Sequence, residues 1–207
     1  MKQRVDNYAI QAEQAKKLFL TYDQQELIRR CRLEYDKDYF YFRFLGDRHR
    51  ICRHSGNMQR LYDGAWREAN GFNEVLTVLD WLCDSKPERF TTGNWINPVT
   101  QGSGFHVSLQ ENGKNHHALL FDAHPQAFQD ACLSLGGEQM PGADMSFAIE
   151  MVDGLQVLVQ LWHGDDEFAP RLRCLWDENT AMYLRYETTW YAAALLMHRI
   201  KERMVIA

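Results

Sequence analysis

The stretch Met145–Trp162, MSFAIEMVDGLQVLVQLW, constrains the fold more than any other part of the chain. Asp153-Gly154 is a strong turn signal between two alternating runs. A two-residue loop sets Ile149 opposite Leu158, but Phe147 opposite Gln160 and Met151 opposite Gln156, so both faces are mixed. A three-residue loop of Val152, Asp153 and Gly154 shifts the pairing by one. Met151 then faces Leu155, Ile149 faces Val157, Phe147 faces Val159 and Met145 faces Leu161. Glu150–Gln156, Ala148–Leu158 and Ser146–Gln160 fall on the other face. A one-residue slip exchanges faces, so the clean separation selects the second register. A type I turn closed by a left-handed glycine suits such a loop. The hairpin should have one apolar face, buried under a helix, and one partly polar face.

Elsewhere the period changes from two to between three and four. Tyr8, Ala12, Ala15 and Phe19 predict a helix over 5–19, and Asp23 followed by Glu26 is a capping box opening a short helix to about Arg32. Residues 38–62 predict a three-stranded meander with turns at Gly46-Asp47 and Ser55-Gly56-Asn57. Phe40, Phe42 and Phe44 form its core stripe. Val75, Leu76, Leu79 and Leu82 mark an amphipathic helix over 73–83, stopped by Asp84-Ser85-Lys86-Pro87. Pro125 opens a helix that Gly136-Gly137 closes. Asp177 is the expected N-cap of a last helix whose face carries Met182, Tyr186, Trp190, Ala193, Met197 and Ile200. The fold class is therefore α+β: a single domain, mainly antiparallel sheet packed with helices. Its parts are a helical segment over 1–35, a sheet-containing core over 38–177 and a C-terminal helix over 178–204.

The second hairpin strand runs into Trp162-His163-Gly164-Asp165-Asp166-Glu167-Phe168. Three consecutive acids repel one another and persist either solvated or with that repulsion offset. One reading is a solvated loop that ends the strand, with Phe168 plugging back into the core and Arg171 and Arg173 neutralising the acids. The other is a ligand site. Its candidate binding residues are Trp95, Trp162, His163, Asp165, Asp166, Glu167, Trp176 and Glu187. Trp95, Trp162 and Trp176 would line an apolar pocket under the irregular 88–105 loop, with the acids at its mouth. No metal site is assigned, because no Cys-x-x-Cys pair occurs and His116-His117 point to different sides.

Leu135-Gly136-Gly137, Gly142-Ala143-Asp144, the Leu161–Phe168 run, Cys174-Leu175-Trp176-Asp177 and Glu187 together resemble a prokaryotic domain family of unknown function. That family's pattern is an LGG pair, a GxD, a strand ending in W-x-G-D-x-E-F, an LFD-type motif and a glutamate on the last helix. The resemblance covers about residues 38 to 204, most closely 133 to 187, and Trp176 stands where the family tends to have phenylalanine. Some members are associated with iron–sulfur and corrinoid proteins. The resemblance thus implies a setting, but no reaction.

With 207 residues, 45% of them hydrophobic, the chain can bury one sizeable core. Its net charge of −5 argues against a nucleic-acid partner, whose phosphates call for basic side chains. The absence of an apolar leader or spanning run predicts a cytoplasmic protein with no membrane partner. Five widely spaced cysteines fit reduced thiols there. Three functions stay open. The first is a non-catalytic small-ligand or cofactor-binding domain, of unknown cofactor. The second is a hydrolase-like enzyme using two carboxylates of the 165–167 loop, assisted by His163 or His106. The third is a protein-interaction subunit or homo-oligomer using the aromatic face of the last helix.

Overall fold

The computed structural model describes residues 7–97 and 116–206. It holds two antiparallel five-stranded sheets packed with helices, the α+β class that the sequence predicts. Helices α1 (Asn7–Phe19) and α2 (Gln24–Cys31) open the chain. The first sheet is a meander: β1 (Glu34–Tyr35), β2 (Tyr39–Phe44), β3 (Asp47–Cys52), β4 (Met58–Tyr62) and β5 (Ala65–Glu68). Then come α3 (Phe72–Asp84), β6 (Trp95–Ile96), a helix α4 over 116–123, and α5 (Pro125–Ser134). The remaining elements are β7 (Glu138–Gln139), β8 (Met145–Val152), β9 (Leu155–Trp162), β10 (Arg171–Asp177) and α6 (Tyr186–Arg203). The second sheet has the order β6-β10-β9-β8-β7.

The central hairpin pairs as its face pattern requires. Met145 lies opposite Leu161, Phe147 opposite Val159, Ile149 opposite Val157, and Glu150 opposite Gln156. Near the turn the means differ from the expected three-residue loop. Val152 pairs with Leu155, leaving a tight two-residue loop, and an irregularity between Glu150 and Val152 absorbs the extra residue. Asp153 and Gly154 both have positive φ, 50° and 83°, as a type I′ turn demands. A β-bulge at Met151 therefore does what a longer loop would have done. It also frees the Met151 carbonyl, which accepts from Leu45 N at 2.9 Å and joins the two sheets.

Both hairpin faces are largely buried. Phe147 meets Phe128 of α5 edge-on, with ring centroids 5.8 Å apart, beneath the main core. On the reverse face Ala148, Leu158 and Leu175 form a second cluster with Trp95 and Met140. The first sheet has more strands than the sequence pattern suggests, because Asp63-Gly64 turns the chain once more into β5. Its first hairpin turns on Leu45-Gly46 rather than Gly46-Asp47, again with φ positive at both residues.

The last helix starts later than its pattern predicts. Asp177 ends β10 and is buried; the N-cap of α6 is Arg185, whose N–H donates to Asp80 Oδ2 at 2.8 Å. Part of the predicted apolar face of α6 is used within the chain: Ala193, Met197 and Ile200 are buried, Met182, Tyr186 and Trp190 are half-buried, and α6 packs on α3 and α5. Helix α3 lies between α1 and α6. That position buries its polar residues Glu74, Thr77 and Asp80 as well as its leucines. No helix among the described residues is long and apolar enough to cross a membrane.

The Leu45-Gly46 turn yields a stability test. At Gly46 an added Cβ would sit 2.8 Å from the Leu135 carbonyl oxygen, whereas at Gly64 it would meet nothing within 4 Å. Both positions have φ near +75° (76° and 73°). Alanine at either should cost about 1–2 kcal/mol for the left-handed backbone. Gly46→Ala should lose clearly more than Gly64→Ala in urea unfolding, because only there must a neighbouring backbone give way. Equal losses would show that Leu135 yields freely.

Candidate functional site

The acidic corner is built by hydrogen bonds. Asp165 Oδ1 accepts from Glu167 N at 2.9 Å and Phe168 N at 2.7 Å, while Asp165 N donates to the Phe168 carbonyl at 2.9 Å. These N–H groups, Phe168 first, hold the Asp165 carboxyl below the usual aspartate range. His163 N donates to Asp144 Oδ2 at 2.8 Å, and the His163 ring Nδ1 lies 2.6 Å from Asp122 Oδ1. Gly164 N reaches the other Asp122 oxygen at 3.3 Å. Helix α4 and the 140–144 segment thereby clamp the strand end. Asp166 and Glu167 are exposed, and no ion pair among the described residues joins them to Arg171 or Arg173. Arg171 lies over Trp162 instead, 5.9 Å from its ring centroid. Phe168 does not return to the core; it is 70% exposed.

The structure separates the tryptophans. Trp176 pairs with Val157 while Trp162 pairs with Arg171, so the two stand at opposite ends of the β9–β10 ladder. Five residues of strand put roughly 16 Å between them. Trp176 is buried in the main core, whereas Trp95, opposite Asp177, packs on the second cluster across the sheet. Glu187 is exposed in the first turn of α6, where its charge acts on Arg185. None of the eight expected residues lines either of the two cavities described below. His106 and residues 98–105 of the 88–105 loop lie outside the described residues.

A different set of charged groups converges. Glu74, 7% exposed on α3, accepts from Arg199 of α6 at 2.7 Å and lies 2.9 Å from Nε2 of His49, which is fully buried on β3. Arg199 also reaches Glu202 at 2.9 Å. Arg60 of β4 grips both oxygens of Glu202, at 2.8 and 2.7 Å. Asp47 takes Arg203 and, at 3.4 Å, Arg60. Two helices and two strands are thus tied by one ionic network.

The network forms the floor of a cavity of about 690 Å³. One wall is aromatic: Tyr8 meets Phe72 edge-on at 4.8 Å, and Phe72 meets Tyr191 edge-on at 4.9 Å. The N-terminus of α3 also opens here, since Gly71, its N-cap, has no side chain to cap it. Arg199 lines the same cavity with its Nε atom buried and unpartnered. The positive end of a helix and a buried guanidinium edge are both suited to an anionic group.

Residues 23–199 match the family described as Domain of unknown function (DUF3786). The chain belongs to that family. No curated protein and no solved structure matches it. The DUF3786 match runs from Asp23, the N-cap of α2, to Arg199, so His49, Arg60, Glu74 and Arg199 all fall within it and Glu202 just beyond. The cavity of this DUF3786 chain is therefore built largely by the matched region.

Two outcomes test this account. Glu74→Gln removes one of the two carboxylates that hold Arg199, leaving it Glu202, and should cost about 1.5–3 kcal/mol in equilibrium unfolding, the worth of a hydrogen bond to a charged group. Adding Arg199→Met should recover part of that loss, making the pair strongly non-additive; additive losses would deny the coupling. At Asp165 the folded pKa is depressed, so its contribution is full above the ordinary aspartate value and is lost as pH falls through the lower folded value. Asp165→Asn should show its largest stability difference from wild type near neutral pH. The two melting curves should converge in acid, below about pH 4. A gap that widens in acid would reverse the sign.

Proposed function

We propose that this DUF3786 protein is a non-catalytic small-molecule-binding domain. Its ligand has a planar body and an anionic end, and the site is the cavity between α1, α3 and α6. The observation that carries this reading is the meeting, in one cavity, of an aromatic wall with the uncapped N-terminus of α3 and the unpartnered Nε of Arg199. Protein pockets that hold small molecules combine mostly apolar walls with a few fixed polar groups, at volumes of roughly 300–1,000 Å³. A carboxylate or phosphate at the α3 terminus would meet backbone N–H groups and the positive end of the helix. The ligand's planar part would lie along Phe72 and Tyr191.

The way the carboxylates are employed supports binding without catalysis. A general acid or base must exchange a proton with bound substrate. Glu74 and Glu202 are engaged by Arg199 and Arg60, and His49 is buried behind Glu74. The arginines fix the geometry of the floor. A corrinoid or metal-cofactor pathway, the setting that the sequence resemblance implies, is compatible with a domain of this kind.

Phenyl phosphate and benzoate are suitable probes, with inorganic phosphate and phenol as their halves. By isothermal titration calorimetry, at least one whole probe should bind more tightly than either half. Asn73→Asp places an acid in the first turn of α3, where the helix dipole favours it, so folding should be unimpaired. The same acid should repel an anionic ligand and weaken probe binding by about tenfold or more. Whole probes that bind no better than their halves, or binding that Asn73→Asp leaves intact, would overturn the assignment. Native mass spectrometry of gently purified protein should also show a small-molecule adduct that the Asn73→Asp variant loses.

A further inference from the structure

A second cavity, of about 390 Å³, lies where the two sheets meet. It exists because the β1–β2 ladder stops early. Glu34 pairs with Tyr41 and Tyr35 with Phe40, so continued pairing would bring Leu33 and Arg32 opposite Phe42 and Arg43. Arg32 is instead the C-cap of α2, in the left-handed conformation at φ 51°, with its N–H returned to the Ile28 carbonyl. On the far side, the second sheet is bonded to Leu45, just past the end of β2, through the Met151 carbonyl. Phe42 and Arg43 therefore face an open stretch of strand edge. Trp81 of α3 lines this opening; it is 2% exposed and its indole Nε1–H has no hydrogen-bond partner among the described residues. A buried donor left unpaired costs about 1–3 kcal/mol, so a partner that fills this place is favoured.

The charges around the opening are unequally engaged. Each acid already has a partner: Glu34 takes Arg48 at 2.9 Å, Glu150 takes Gly154 N at 2.9 Å, and Asp153 takes Arg89 Nε at 2.6 Å. Arg32 and Arg43 make no ion pair among the described residues; Arg43 donates only to the Gly46 carbonyl, at 2.9 Å. The uncommitted groups are thus two guanidinium cations and an indole donor, set over apolar Leu33, Phe42 and Val152. The three acids nearby would repel a multiply charged anion.

We infer that this cavity is a second binding site, for a small monocarboxylate with a short apolar body. Its carboxylate pairs with Arg32 and Arg43 and accepts from Trp81 Nε1–H, while its hydrocarbon end lies on Phe42, Leu33 and Val152. The site shares no lining residue with the α1–α3–α6 cavity and stands independently of the function proposed for it.

Butyrate, with butylamine as the opposite-charge control, tests the assignment by two-dimensional proton–nitrogen NMR. The protein has six tryptophans, and the Trp81 indole cross-peak is identified as the one missing from Trp81→Phe. Butyrate should shift that peak saturably and butylamine should not. Arg32→Gln with Arg43→Gln should weaken the response by about tenfold or more, as expected for bonds to charged groups. Asn73→Asp, which acts on the other cavity, should leave it intact. No saturable shift, an equal response to butylamine, or undiminished binding in the double arginine variant would overturn the inference. A response abolished by Asn73→Asp would assign it to the other cavity and likewise overturn it.

Discussion

The joining of α3 to α6 and to β3 depends on one buried carboxylate. Glu74 sits on the central helix, 7% exposed, where water solvates its charge poorly. A carboxylate in that position costs several kcal/mol unless it is paired and hydrogen-bonded. Arg199 and His49 supply those bonds, and they come from α6 and β3. The three elements are thus tied to one another through Glu74. Arg60, Glu202, Asp47 and Arg203 extend the tie to β4 and to the end of α6. Hydrophobic burial supplies most of the stabilisation but is non-directional. The ionic network adds direction: it fixes which face of α6 meets α3, and at what height along the sheet.

A comparable division of labour holds the two sheets together. The apolar pattern of Phe147, Ile149, Val157 and Val159 favours this register, because a one-residue slip would carry one strand's set to the reverse face. That much was legible from the alternation alone. The means of achieving it was not. A longer loop and a bulge give the same pairing beyond Glu150, and side-chain pattern does not distinguish between them. What separates them is the Met151 carbonyl, which only the bulge turns toward Leu45. Sequence periodicity speaks to faces, whereas this choice involves a backbone bond to Leu45, far away in sequence. The start of α6 was missed for a similar reason. Asp177 has the chemistry of an N-cap, but its oxygens are taken by Thr92, Gly93 and Asn179, and Asp80 serves the helix from α3 instead.

The acidic corner was conspicuous because its charges are consecutive; the ionic floor was inconspicuous because its charges are scattered. Bonded partners in the floor are 25, 125 and 142 residues apart. Local spacing cannot join residues so far apart in sequence. One signal was available: Glu74 and Asp80 share helix α3 with an unusually broad set of apolar positions, from Val75 to Cys83. A helix greasy on more than one side is expected to be buried on more than one side, and its acids must then find cations. The motifs that carried the family resemblance serve the framework in turn. Asp144 of the GxD binds the backbone of His163, Leu135 of the LGG packs on the Gly46 turn, and Asp177 anchors the 92–94 segment.

The two cavities lie toward opposite ends of helix α3. Helix α3 presents Glu74 and its uncapped N-terminus to the larger cavity, and Trp81, two turns on, to the smaller. Between them the side chains are in continuous contact. Trp81 meets Phe42 at 5.6 Å, Phe42 stacks on His49 at 5.8 Å, and His49 bonds Glu74. Packing of this density resists small displacements, so a ligand that shifts Trp81 must displace Phe42 or the helix itself. The same chain of contacts explains why a fully buried histidine belongs here. Its ring serves as an aromatic neighbour to Phe42 and Phe44 on one side and as a polar partner to Glu74 on the other. A phenylalanine could fill the first role and a glutamine the second, but neither fills both. His49 is thus the residue through which the aromatic core and the ionic floor become a single structure.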